Sequence, residues 1–320
     1  MKSIIHRALY FIFCLVFCTI SIVSLTACEN SSDDKSFDVV CSVFPLYDWT
    51  REIVSDTDTR LHLIIDNGTD SHSFQPTAKD ITTLLSADLV IYIGGESESW
   101  IDDLFVSHPS STRHTLKLLD AIGDRAKFEE LQDGMEGEDD DGGENEYDEH
   151  IYLSLKNARI CVKAIEDTLS NFNEPDADTY DINASKYLTK LVSLDTSYKK
   201  AVDMATNRTL IFGDRFPFRY LIDDYELNYY AAFAGCSAET EASFKTIDFL
   251  SKKIDELHLK YIIKLETSNG TVANAIKQNT TSKNQTVLTI NSIQSTKIKD
   301  NKTYLEIMRD NLEVLKIALS

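Results

Sequence analysis

A chain of 320 residues with a formal charge of −20 at pH 7 repels nucleic acid and anionic lipid, so a cation is the better partner. Its 42% apolar content is ordinary for a globular protein, and its length exceeds what one hydrophobic core usually organises, so two lobes are expected.

Lys2 and Arg7 precede a run, Ala8 to Leu25, that is apolar apart from a few Ser and Thr and ends at Leu25-Thr26-Ala27-Cys28. This is the pattern of a secretion signal over residues 1–27 closing in a lipobox, where small residues suit the signal peptidase and the Cys28 thiol takes a diacylglycerol. The competing reading, a transmembrane anchor, fits less well, because a polar tether over 28–36 follows the small-small-Cys step at once. Export, cleavage and anchoring to the outer face of a bacterial cell membrane are therefore expected. Cys14 and Cys18 leave with the signal, so Cys41, Cys161 and Cys236 remain in the folded part. Three thiols cannot all pair; buried free thiols are expected, with one disulfide and a free thiol as the alternative.

Short β-branched runs at Phe37–Val43, Leu61–Ile65 and Ala87–Ile93 read as strands. Between them Leu46–Val54 and Thr77–Leu85 are helical, the second opening on a Thr77-x-x-Asp80 capping signal. From Glu129 to Glu149 there are twelve Asp or Glu, four Gly and no basic residue, which predicts a disordered, solvated acidic loop. Asn183–Met204 carries Tyr187, Leu188, Leu191, Leu194, Tyr198 and Val202 without Gly or Pro, and predicts one long rigid helix. Alternation then resumes, with strands at Thr209–Gly213, Asn228–Phe233, Tyr261–Leu265 and Thr286–Ile290. Helical stripes follow, one carrying Phe244, Ile247, Leu250, Ile254 and Leu257, the other Tyr304, Met308, Leu312, Leu315 and Leu319.

The expected fold class is α/β: two lobes, each with a mainly parallel sheet flanked by helices, joined by one long rigid helix. The lobes are placed at 37–180 and 207–320, with the joining helix over 181–206.

There is no Gly-rich phosphate loop, nucleophile elbow, His-Glu-x-x-His or Cys-x-x-Cys, so an enzyme is not expected. Possible ligands instead lie just past the carboxyl ends of predicted strands, where open α/β sheets bind things. His72 sits in a turn-rich loop, and His150 closes the acidic run before an apolar helix. Glu266 ends Tyr261–Leu265, and Asp214 ends Leu210–Gly213. Taken alone, each His would be an ordinary exposed residue, and Asp214 could equally be neutralised by Arg215.

Two motifs connect them. Gly68-Thr69-Asp70-Ser71-His72-Ser73-Phe74-Gln75-Pro76-Thr77 and Asp148-Glu149-His150-Ile151-Tyr152-Leu153-Ser154, with Ala87–Tyr92 before Gly94-Gly95, resemble the metal-specific substrate-binding proteins of ABC transporters, the zinc and manganese (adhesin-lipoprotein) branch. The resemblance spans essentially the whole mature chain. It implies a single metal in the interlobe cleft, with His72 and His150 as imidazole ligands and Glu266 as the acidic one. It also implies an ABC permease and ATPase as partners, with the protein a monomer held to the membrane through Cys28.

The pattern departs in two places. Arg215 stands where the family offers a third His or a carboxylate, and Arg cannot ligate a metal, so Asp214 or water is expected to complete the shell. The His-rich loop of zinc-specific members is here only acidic. Zn²⁺ is the expected cargo, with Mn²⁺ as the alternative; a surface adhesin with a structural metal, or a zinc hydrolase using Glu149 or Glu239 as base, are rival classes.

Overall fold

The computed structural model describes residues 36–136, 146–237 and 241–320. The secretion signal, Cys28, all of the tether but Ser36, residues 137–145 and Glu239 lie outside the described residues. No helix among the described residues is long and apolar enough to cross a membrane.

In the first lobe β1 (Asp38–Cys41) leads through α1 (Phe44–Ile53) to β2 (Arg60–Leu63), and α2 (Ala78–Ser86) leads to β3 (Leu89–Tyr92). Thr77 caps α2 as its sequence predicts, accepting from Asp80 N–H while the Asp80 carboxylate accepts from Thr77 N–H. After α3 (Ser99–Ser107) comes β4 (His114–Lys117), then the short α4 (Leu118–Ile122). The four strands are parallel, in the order β2-β1-β3-β4. β4 escaped the sequence reading because it is a four-residue edge strand whose side chains are all at least partly exposed, so it shows no apolar run.

Then come α5 (Leu155–Phe172) and α6 (Ala177–Asp203), before β5 (Thr209–Phe216), α7 (Arg219–Asp224) and β6 (Asn228–Ala234). α8 (Phe244–Glu256), β7 (Tyr261–Leu265), α9 (Thr271–Asn279), β8 (Thr286–Ile290) and α10 (Tyr304–Ala318) complete the second lobe. Its strand order, β6-β5-β7-β8, repeats that of the first lobe, again all parallel. In each sheet the order reverses beside the first strand, between β1 and β3 and between β5 and β7, and the carboxyl ends flanking such a reversal are where ligands settle.

The joining helix α6 starts at Ala177, six residues before the expected Asn183, and buries Tyr180, Ala184, Tyr187, Leu191, Leu194, Tyr198 and Val202 at three- and four-residue steps. It is not a free-standing strut. Asn183 Nδ2 donates to Ile53 O and Ser55 O in the first lobe, and Tyr198 O–H donates to Met308 O, 2.6 Å away in the second. Its apolar face belongs to one continuous core that takes in Trp49 and Ile91 of one lobe and Phe212 and Leu312 of the other. Phe37–Ser320 accordingly forms one compact unit.

The described parts of the acidic segment, residues 129–136 and 146–149, are hydrogen-bonded into the fold, where its composition predicts a solvated loop. Glu129 N–H donates to Glu146 O and Asp148 N–H to Lys127 O, both at 2.8 Å, and Glu136 N–H donates to Ala232 O on β6. The segment's carboxylates find partners as well, Glu130 in Arg219 and Glu136 in Ser243 N–H. The three remaining cysteines are free, Cys41 and Cys161 fully buried and Cys236 partly so.

Two features of the strand ends lead to measurable consequences. Gly213 lies where β5 meets α9, and a Cβ there would come 2.6 Å from Ala273 Cα, which belongs to helix backbone and cannot swing aside. Gly213→Ala should therefore destabilise the fold by about 1–3 kcal/mol or more, read as a lower urea midpoint. Glu98, in the short turn after β3, is 1% exposed and accepts a hydrogen bond from Gly94 N–H; burial pushes its carboxyl from 4.5 up to about 7. Between those values the unfolded chain has lost a proton that the folded chain keeps, so stability falls as pH rises through the window, by up to about 3 kcal/mol. Glu98→Gln stays neutral throughout, and urea melts from about pH 4 to about pH 8 should shift the stability difference in its favour.

Candidate metal centre

His72 is positioned by its own loop. Gly68 adopts φ +82°, turning the chain after β2, and Asp70 Oδ1 accepts from His72 N–H to start a short helical turn over Ser71–Ser73. The imidazole is left mostly buried, with a Nε2 that makes no hydrogen bond; Asp70 Oδ1 stands 3.9 Å away. Burial, reinforced by the neighbouring His150, holds the His72 pKa below the ordinary histidine value.

His150 is fixed by Asp148, whose Oδ1 accepts from both the His150 backbone N–H at 2.8 Å and Nδ1 at 2.9 Å. With Nδ1 protonated toward the carboxylate, Nε2 keeps its lone pair, and the Gln294 amide lies 2.8 Å from it. His150 is 1% exposed. Burial alone would lower its pKa, but the Asp148 charge and hydrogen bond, joined by Glu129 and Asp70, carry it above the usual value.

These two histidines, 78 positions apart, bring their ring centroids to 5.6 Å. Donor atoms of His72, His150 and Cys236 lie within 4.8 Å of one another, and so do those of Glu129, Asp148 and His150. Cys236 follows the carboxyl end of β6. Its backbone N–H donates to Glu129 Oε1 at 3.0 Å, and its thiol is hydrogen-bonded to the same carboxylate. Burial first, and then the negative charge of Glu129 and Asp148, keep that thiol protonated in the metal-free protein.

Asp214 and Glu266, the two carboxylates expected from the sequence, are not in either group. The register of β5 against β6 shifts between Phe212 and Arg215, and the Asp214 carboxylate turns back into the sheet to accept from Leu265 N–H at 3.0 Å and Arg215 N–H at 2.9 Å. It substitutes for a missing ladder acceptor between β5 and β7. Glu266 accepts from Ser292 N–H and Ser292 Oγ–H at 2.8 and 3.0 Å. Burial raises its carboxyl pKa, partly countered by those bonds. By clamping Ser292 it holds the turn that presents Gln294 to His150, so its link to the site runs through that loop.

Arg215 does not neutralise Asp214 by an ion pair. Its guanidinium crosses to the first lobe and pairs with Asp70 Oδ2 at 3.0 Å, and it lies 3.5 Å from Ser237 O. Asp70, Arg215, Asp214, Ser237 and Ser268 line a cavity of about 510 Å³ with walls from both lobes, which neither histidine lines. Glu149, a rival base on the sequence reading, is tied to Ser97 N–H and Oγ and has no free role.

Cys236, Gln294 and Glu129 were missed as members of the cluster. A lone Cys after Gly235 carries no motif, and only the folded loop brings it beside His150. Gly235 is the local reason: a Cβ there would sit 2.9 Å from Phe216 O and 3.1 Å from His150 Cε1, so glycine permits the close approach.

Residues 39–318 match the family described as zinc-uptake complex component A, periplasmic. The zinc-binding lipoprotein AdcA of Streptococcus pneumoniae (strain R6) is 27% identical over 305 residues, which cover 94% of this chain and 60% of that protein. The chain thus spans somewhat less than two thirds of the length of AdcA. The high-affinity zinc uptake system protein ZnuA of Bacillus subtilis is 27% identical over 308 residues, 92% of this chain and 93% of that one. The crystal structure of the Zn(II)-bound ZnuA-like domain of Streptococcus pneumoniae AdcA superposes with a TM-score of 0.71 at 26% identity, covering 89% of this chain and 99% of that one. The chain therefore belongs to the zinc-uptake component A family, whose members are transport components and not enzymes.

Proposed function

We propose that the protein captures a divalent transition metal, Zn²⁺ ahead of Mn²⁺, between His72 and His150 in the interlobe cleft and delivers it to an ABC importer. The observation that carries this is the meeting of two buried imidazoles from distant loops, one with Nε2 held ready by Asp148 and the other with Nε2 lacking any hydrogen bond. A buried nitrogen without a partner is costly unless a ligand satisfies it, and neutral imidazole is the preferred nitrogen ligand of zinc. The zinc-binding relatives support the same cargo.

Delivery requires the ion to be held firmly and yet be releasable. A site at the boundary between the lobes meets that need, because separating the lobes opens it to solvent without unfolding either one. The Arg215–Asp70 pair crosses the same gap, 3.0 Å long and only partly exposed, and favours the closed arrangement in the absence of metal. Export and anchoring rest on the lipobox ending at Cys28, which would place the protein outside the cytoplasm and beside its permease.

Elemental analysis of protein purified without chelator should find about one zinc per chain, falling well below that in His72→Ala and His150→Ala while both variants keep the wild-type circular dichroism. Unchanged metal content in either variant would remove the site from the reading. In cells, Cys28→Ser should move the protein from the membrane fraction to the medium or the soluble extracytoplasmic fraction; continued membrane retention would contradict lipid anchoring.

A further inference from the structure

We infer that Cys236 is the third metal ligand, so that the cargo site is a two-imidazole, one-thiolate centre built for a soft divalent ion. The inference rests on the metal-binding reading above and names what supplies the second lobe's share of the shell.

Three observations converge. The donor atoms of His72, His150 and Cys236 lie within 4.8 Å of one another, a spacing one ion can bridge. His72, whose Nε2 is buried and without a hydrogen bond, belongs to that same group. The other second-lobe candidates are committed elsewhere: Asp214 to the backbone N–H groups of Leu265 and Arg215, Glu266 to Ser292, and Arg215 to Asp70. Arg215 cannot bind a metal in any case, so the carboxyl end of β5 contributes charge and the carboxyl end of β6 contributes the donor.

The local packing is shaped for this. Gly235 has no Cβ to hold the chain off the His150 ring, and the Glu129 carboxylate accepts from Cys236 N–H at 3.0 Å, fixing the backbone that carries the thiol. When a divalent ion binds, the S–H bond breaks and a metal–sulfur bond forms. The proton passes to the Glu129 carboxylate and then to water, and no electron changes hands. A thiolate favours zinc, cobalt and cadmium over manganese, which prefers oxygen, so this residue sets the cargo's class.

The test loads the full chain with Co²⁺ as a spectroscopic probe for Zn²⁺. The wild type should show a strong near-ultraviolet sulfur-to-cobalt charge-transfer band that is absent in Cys236→Ser and Cys236→Ala. Competition against a chromophoric chelator should show Zn²⁺ affinity reduced at least about 100-fold in both variants, since even the partners that merely orient a ligand are worth 10–100-fold. Cys236→Asp should recover part of the Zn²⁺ affinity and narrow the preference for Zn²⁺ over Mn²⁺. A cobalt-loaded wild type without the band, or Cys236→Ser and Cys236→Ala that bind Zn²⁺ as tightly as wild type while His72→Ala and His150→Ala do not, overturns the cysteine assignment alone. Failure of the wild type to bind any of these ions overturns the metal-binding reading itself.

Discussion

The constraint on which everything else depends is the common core that α6 shares with both lobes. A metal shell tolerates errors of a few tenths of an ångström, yet its donors here come from loops after β2 and β6 and from the turn before α5, with no covalent link shorter than tens of residues. Only a frame that fixes one sheet against the other can keep them in register. The seven buried residues of α6, anchored by Asn183 to one lobe and Tyr198 to the other, provide that frame. A loose tether could not hold Cys236 of the second lobe with its donor atom within 4.8 Å of those of His72 and His150 in the first.

Within that frame the electrostatics treat the two imidazoles differently, favouring the neutral form of His72 and the protonated form of His150. Asp148 orients His150, and Asp70 does double duty by capping the turn that carries His72 and pairing with Arg215 across the cleft. Removing charge from Asp70 would therefore loosen a turn and a lobe contact together. The surrounding acids, Glu129 and Asp148 among them, make the pocket negative before any ion arrives, which attracts a cation and keeps the Cys236 thiol protonated until a metal competes for it. Affinity and restraint come from the same charges.

Asp214 and Glu266 show how a residue can be placed correctly in the chain and still serve a different end. Both follow the carboxyl ends of strands, where a ligand is expected, and both carboxylates instead satisfy backbone N–H groups. The cost of leaving a buried N–H without an acceptor is comparable to what a metal bond must overcome, and in a sheet interrupted by the shift after Phe212 a side chain is the nearest acceptor.

Seven of the eight strands and their parallel direction, the capped start of α2 and the two histidine loops were legible in the sequence, because β-branched runs, T-x-x-D spacing and turn chemistry are local signals, whereas the order of the strands within each sheet was not. The two imidazoles were legible as candidates for the same reason: each sits in a motif only a few residues long. What only the folded chain decided was which second-lobe group joins them. Sequence position pointed to Asp214 and Glu266 at strand ends and gave no sign of Cys236, and the choice fell to a register shift in β5, the Ser292 turn and the missing Cβ of Gly235. Such contacts join residues far apart along the chain, and no local pattern encodes a distance of a few ångströms between them.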